Sequence, residues 1–370
     1  MKKSILFAGI ILLVLGSSLF MKKASNIEEE NIVTKSSAED ILATMTLEEK
    51  VGQMFLVRFP ETDVVAEIKD ENPGGYILFA RDFENETPET ILSKLKECQD
   101  ASKINLFFGV DEEGGTVTRI SRYAAFRSSK FKSPRSIFEE GGFEKIIEDV
   151  HEKDLLIKSL GLNMNLTPVV DIPTNSESFM YDRAFSTNAE ETSKFAKDTI
   201  KQMNEDKIIS CMKHFPGYGD NVDTHTGVAV DERSIKDFEN NDFLPFEAGI
   251  NEGCPMILVN HNIINSMDEE YPASLSKEVH KSLRENLNFD GIIITDDLAM
   301  DAVKEYAENG KAAVQAVLSG NDMIISSDFR TQKQEVLNAI KDGTISEDLI
   351  NEAVLRILKC KEKYEISNKE

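Results

Sequence analysis

From Ile41 onward, short unbroken apolar runs alternate with longer stretches in which apolar residues recur every three or four positions. The apolar runs occupy residues 54–59, 75–80, 106–111, 163–171, 208–214, 256–261, 291–296 and 322–326. Their continuous Val, Ile, Leu and Phe character predicts strands covered on both faces, as the strands of a parallel sheet are. Helical spacing fills the intervals at 89–102, 143–159, 190–204, 234–251, 276–286, 302–318 and 331–340. Ser276, followed by Glu278 and a periodic apolar face, reads as a helix start. Eight strands with intervening helices predict an α/β fold, a single (β/α)8 barrel of the TIM type over residues 41–366. Neither a linker nor a shorter repeat divides that span.

The polar residues fall in a telling place on this pattern. Asp111, Asp171, His214, His261 and Asp296 each close a predicted strand at its C-terminal end. Catalytic groups of such barrels stand on that rim, so five polar side chains there predict a binding or catalytic mouth.

The pattern breaks at the N-terminus. Met1-Lys2-Lys3 gives a positive start, residues 5–20 are apolar apart from Gly and two Ser, and Lys22-Lys23 follows. A segment of sixteen residues falls short of the roughly 20 that span a bilayer and exceeds the roughly 7–15 of a cleaved export signal. Residues 1–23 are therefore expected to be a signal peptide or an uncleaved anchor, and 24–40 a polar tether. The chain is expected outside the cell or on the outer face of its membrane.

Composition narrows the partners. The 370 residues are 41% hydrophobic, ample for a packed core, and 42 Lys+Arg against 66 Asp+Glu give a net charge of −24. That balance excludes nucleic acid as a partner, because phosphate binding needs clustered positive charge. Cys98, Cys211, Cys254 and Cys360 lack metal-type spacing and are expected to be buried free thiols. The absence of Trp argues against a long stacking platform for sugar rings.

Three segments concentrate reactive side chains. Lys213-His214-Phe215-Pro216-Gly217-Tyr218-Gly219-Asp220 runs on to Asp223 and His225, which are close enough in sequence for the carboxylate to orient the imidazole as a general acid/base. Asp296 and Asp297 follow a fully apolar strand; one is expected to face the mouth as a nucleophile and the other to cap the next helix. Residues 111–119 combine Asp111, Glu112, Glu113, two Gly and Arg119, a set able to hydrogen-bond a polyhydroxylated ligand, and no Lys-Ser/Thr makes it a phosphate loop. His151 and His280 lie on helical patterns and read as ordinary surface or packing residues.

These motifs resemble glycoside hydrolase family 3, and within it the β-N-acetylhexosaminidase branch. The matching stretches are residues 45–54, 111–119, 213–225, 272–276 and 295–300, in family order. The resemblance implies Asp296 as nucleophile and the Asp223–His225 pair as acid/base, acting by retention without a metal or cofactor. It implies sugar binding by Asp111, Arg119, Lys213 and His214, with Arg183 matching less securely. The implied substrate is a glycoside with a terminal N-acetylglucosamine, such as a cell-wall fragment, and the enzyme is expected to be a monomer. One position departs from the pattern: Tyr218 stands where the family loop usually has a second His; a tyrosine could still stack on or hydrogen-bond a sugar, and altered specificity or loop mobility is expected before loss of activity. Alternatives are a β-glucosidase or glycoside phosphorylase of the same family, a metal-dependent barrel hydrolase using Asp223, His225, His214, His261 and an Asp at a strand end, or an inactive wall-binding protein.

Overall fold

The computed structural model describes residues 37–224, 227, 229–304 and 311–366, and in it the apolar runs form a parallel barrel. In chain order the strands are β1 (Phe55–Arg58), β2 (Gly75–Leu78), β3 (Phe107–Val110), β4 (Met164–Asn165), β5 (Ile209–Phe215), β6 (Val230–Asp231), β7 (Met256–Val259), β8 (Ile263–Ile264), β9 (Ile292–Thr295) and β10 (Ile324–Ser326). Eight of them make one sheet in the order β10-β1-β2-β3-β4-β5-β7-β9. A parallel bridge between Ile294 and Met323 joins β9 to the start of β10, and Met323 N donates to Ile293 O at 3.1 Å. The predicted (β/α)8 barrel is thereby nearly closed.

Burial explains why these segments are strands. All residues of β2, β3, β5, β7, β9 and β10 are buried, as expected where side chains on one face fill the barrel and those on the other meet helices. Arg58, last in β1, is the exposed exception, and it stands on the rim. β4 is far shorter than the predicted run 163–171. Pro168 has no N–H to give a ladder, so beyond Asn165 the chain follows β5 irregularly, through Cys211 N donating to Thr167 O (2.9 Å), Lys213 N to Pro168 O (3.1 Å) and Val170 N to Lys213 O (2.8 Å). β6 and β8 form a separate two-stranded parallel ribbon that sequence spacing did not predict.

The helices recur near their predicted places with instructive differences. The run 143–159 is the second part of Pro134–Ser159, which breaks at Gly141 and Gly142. The run 234–251 contains a π-turn at Phe238–Asp242, and 276–286 ends in another at Ser282–Asn286. Ser276 caps its helix as predicted, accepting from Val279 N at 3.3 Å. The run 302–318 appears as Asp301–Lys304 and Ala312–Ser319, with residues 305–310 outside the described set. Four further helices, Ala38–Thr44, Leu47–Gln53, Val64–Glu71 and Glu347–Lys363, complete the shell, the first beginning inside the stretch read as tether. All four cysteines are free and buried, as expected. The N-terminal signal or anchor, residues 1–23, lies outside the described residues, among which no helix is long and apolar enough to cross a membrane.

Candidate active site

The loop after β3 is folded around one carboxylate. Glu112 is fully buried and accepts from Arg119 N (2.8 Å), Ile120 N (2.6 Å) and the Ser121 hydroxyl. This turns the chain back so that Arg119 Nη2 comes within 3.7 Å of Asp111 Oδ2. Gly114 makes the turn possible: its φ is +97°, and a Cβ there would lie 2.2 Å from Lys132 O.

Glu113, the next residue, points into the barrel mouth and organises its cations. Arg183 Nη2 donates to Glu113 Oε1 at 2.8 Å and Nε to Oε2 at 3.0 Å, while Lys213 Nζ lies 2.8 Å from Oε1. The other partner of Lys213 Nζ is Asp111 Oδ1, at 2.6 Å. Burial acts to raise the Glu113 carboxyl, but Arg183 and Lys213 overcome it and hold the group well below the usual carboxylate range. Burial likewise opposes charge on Lys213, yet Asp111 and Glu113 carry its pKa above the ordinary lysine value. The cluster is thus ionised and mutually neutralised.

His214, beside Lys213, is held from both sides. Its Nδ1 meets Asp171 Oδ2 at 2.7 Å, and its Nε2 lies 3.3 Å from Arg183 Nη2. A guanidinium can only donate, so Nε2 accepts and the proton sits on Nδ1, facing Asp171. This arrangement argues against His214 as a metal ligand, since a cation already occupies the approach to Nε2. Among the described residues no cluster of three or more His, Cys, Asp or Glu could hold a metal ion.

At the end of β9 both carboxylates of the pair line the pocket, and Asp297 closes a turn after the strand where a helix cap was expected. Asp297 Oδ1 accepts from Ala299 N at 2.9 Å, and its Oδ2 accepts from Ser327 Oγ at 2.8 Å and faces Arg58 Nη2 at 3.5 Å. Asp296 lines the pocket, with Oδ1 accepting from Asp297 N at 2.8 Å. His261 braces this turn from beneath: its ring meets Ser274 Oγ (2.7 Å) and the Asp297 carbonyl (3.1 Å).

The loop after β5 is anchored by Arg233. Its guanidinium bonds Asp231, reaches both oxygens of Asp242 at 3.0 and 2.9 Å, and donates to Gly217 O at 3.1 Å. Asp220 pins the neighbouring loop by accepting from Thr174 N and Asn175 N, each at 2.9 Å. Asp223 lines the pocket, whereas His225 lies outside the described residues. Tyr218 does not reach the sugar side: it is 2% exposed, is absent from the pocket wall, and its hydroxyl is engaged by Thr224. The contacts it makes are internal ones.

A cavity of about 850 Å³ brings together Asp111, Arg119, Arg183, Lys213, His214, Asp223 and Asp296. Seven of the eight predicted site residues share one space at the C-terminal rim. Asp171 and His261, also expected on the rim, are 1% and 0% exposed and serve from behind. Sequence reasoning passed over Arg58, Phe79 and Phe179 as parts of the wall, and it singled out Glu113 and Asp297 without counting them among the site residues. Glu113 sat within a motif already singled out, but only folding reveals that two cations converge on it.

The family model for the glycosyl hydrolase family 3 N-terminal domain matches residues 46–360. Beta-hexosaminidase A of Pseudoalteromonas piscicida is 27% identical over 320 residues, covering 78% of this chain and 53% of that protein. A beta-hexosaminidase of Nitrosomonas eutropha is 30% identical over 286 residues, covering 76% of this chain and 81% of its own. Among solved structures, a glycoside hydrolase family 3 beta-N-acetylglucosaminidase from Paenibacillus sp. str. FPU-7 superimposes with a TM-score of 0.81 at 27% identity, covering 87% of this chain and 63% of that one. The chain thus spans about half the length of the Pseudoalteromonas relative and under two thirds of the Paenibacillus one.

Proposed function

Because the chain belongs to glycosyl hydrolase family 3, we propose that it is a retaining exo-β-N-acetylglucosaminidase, a β-N-acetylhexosaminidase in the sense of its named relatives. The observation that carries this reading is Asp296, which projects from the end of β9 into the same cavity as Asp111, Lys213, Arg183 and His214. A carboxylate facing a wall of mutually neutralised donors and acceptors suits a neutral sugar held by its hydroxyls.

The proposed steps follow from those groups. Asp296 attacks the anomeric carbon while His225, oriented by Asp223, protonates the leaving oxygen, and the glycosidic bond breaks. The same imidazole then takes a proton from water, whose oxygen displaces Asp296 and restores the carboxylate with net retention. Asp111, Arg119, Arg183, Lys213 and His214 hold the terminal sugar. The substrate is proposed to be a cell-wall fragment or similar glycoside ending in N-acetylglucosamine, met outside the cell by a monomeric enzyme that its N-terminal segment exports or anchors.

A chromogenic N-acetylglucosaminide tests the activity, with Asp296→Ala expected to abolish turnover in a folded protein. His225→Ala should lose much more rate on a glycoside with a poor leaving group than on an activated aryl glycoside, which needs little protonation. Equal losses on both would remove His225 from the acid/base role. A rate dependent on added phosphate would instead make the enzyme a phosphorylase, and a rate abolished by chelator would make it metal-dependent.

A further inference from the structure

We propose that Tyr218 is a positioning residue whose hydroxyl holds the turn bearing Asp223 in register with His214. The inference rests on the reading of Asp223 and His225 as the acid/base pair. Tyr218 departs from the family pattern at a loop position that invites a substrate contact, yet its side chain is turned inward. It packs against Val169 and Met180, and its ring meets the edge of His214 at 5.7 Å and Phe179 at 5.8 Å between centroids.

The residue is fastened at both ends. Its backbone N donates to Asp171 Oδ1 at 2.7 Å, and the other oxygen of that carboxylate holds His214 Nδ1, also at 2.7 Å. Its hydroxyl accepts from Thr224 N at 2.9 Å and shares a hydrogen bond with Thr224 Oγ1 at 2.7 Å. Both Tyr218 and Thr224 are buried, at 2% and 1% exposure, so these bonds face little competition from water. Burial pushes the phenol up to about 12, which keeps the hydroxyl intact over any working pH. Tyr218 is therefore a strut from the Asp171–His214 pair to Thr224, whose chain neighbour Asp223 lines the pocket. His214 stands on β5 and Asp223 on the loop that follows it, and this strut is a direct mechanical link between the two.

Tyr218→Phe keeps the ring and its packing and deletes the oxygen. On a substrate with a poor leaving group, kcat should fall about 10-fold, a fraction of what losing a general acid costs, with KM within about 2-fold. On an activated aryl glycoside the rate should stay within about 2-fold, because protonation is not limiting there. Thr224→Val removes the hydroxyl partner from the other side, and the double variant should lose no more than Tyr218→Phe alone, because both act on one contact. Equal losses on both substrates, no loss on either, or multiplicative losses in the double variant would overturn the proposal. His225→Ala on the same two substrates separates the two readings. If it discriminates between leaving groups and Tyr218→Phe does not, only the strut fails; if it does not discriminate, the acid/base reading fails and the strut with it.

Discussion

Arg183 grips Glu113 at two points, Nη2 on Oε1 at 2.8 Å and Nε on Oε2 at 3.0 Å, with the carboxylate side chain only 3% exposed. Two-point contact of this kind fixes the orientation of both groups, and Lys213 completes it from a third side. The barrel mouth is therefore built on a carboxylate that is itself only a part of the wall.

Glu113→Gln should accordingly destabilise the fold, because it takes from Arg183 its two-point acid partner and from Lys213 one of its two. Breaking a buried charge pair from one side costs about 3–5 kcal/mol. Urea unfolding at neutral pH reads this as a lower midpoint at unchanged slope. A midpoint equal to that of the wild type would show that the cations find other partners.

The same carboxyl sets a dependence on acid. Folding depresses its pKa below the ordinary value of 4.5, so its contribution is complete above that pH and is lost as pH falls through the folded value. The wild type should lose stability between neutral pH and about pH 3, and Glu113→Gln should lose less over that interval. Parallel declines in the two proteins would contradict the assignment.

Lys361 makes the opposite end of the barrel sensitive to alkali. Its Nζ donates to Gln53 Oε1 (2.7 Å) and Gly74 O (3.0 Å) and faces the Phe107 ring at 4.7 Å; all three partners are uncharged. Burial pulls its pKa from 10.5 down to about 7, so across that window the unfolded chain holds a proton that the native protein has released. Stability should therefore rise with pH there, by up to about 1.4 kcal/mol per unit. Lys361→Met should flatten the rise between about pH 7.5 and 9, measured as denaturation midpoints. An unchanged slope would mean that the lysine stays charged in the fold.

Asp171→Asn should weaken substrate binding without touching the pocket wall. Asp171 receives His214 Nδ1, His214 N and Tyr218 N, and an amide can satisfy only part of that set. Losing a buried, charge-assisted bond is worth about 1.5–3 kcal/mol, or roughly 10–100-fold in kcat/KM. Steady-state kinetics together with a melting curve check it, and intact kcat/KM would release His214 from this dependence.

Much of the barrel was legible because strands buried on both faces leave continuous apolar runs that few other structures produce. β4 was over-read because its apolar residues run on through Pro168 while its regular ladder is interrupted there. The short helices Ala38–Thr44, Leu47–Gln53 and Val64–Glu71 were missed, since helices of seven or eight residues form through packing more than through propensity. Glu347–Lys363 is different: Ser346 caps it, and Ile350, Val354, Ile357 and Leu358 lie on its buried face, a signal that was present in the chain. At the site, residue types at strand ends located the mouth. Glu113 and Tyr218 were beyond that reasoning, because their roles depend on which way a loop side chain turns.

Arg233 has a consequence for how such a barrel can vary. One guanidinium holds Gly217, Asp231 and Asp242, so the points at which the loop between Gly219 and Val230 leaves and re-enters the fold are tied to a single side chain outside most of that loop. A segment mounted in this way is interchangeable in principle. It can be lengthened, shortened or replaced by another chain's loop while the strands beneath keep their register. The reactive cargo of the barrel and the barrel itself are thus free to evolve at different rates.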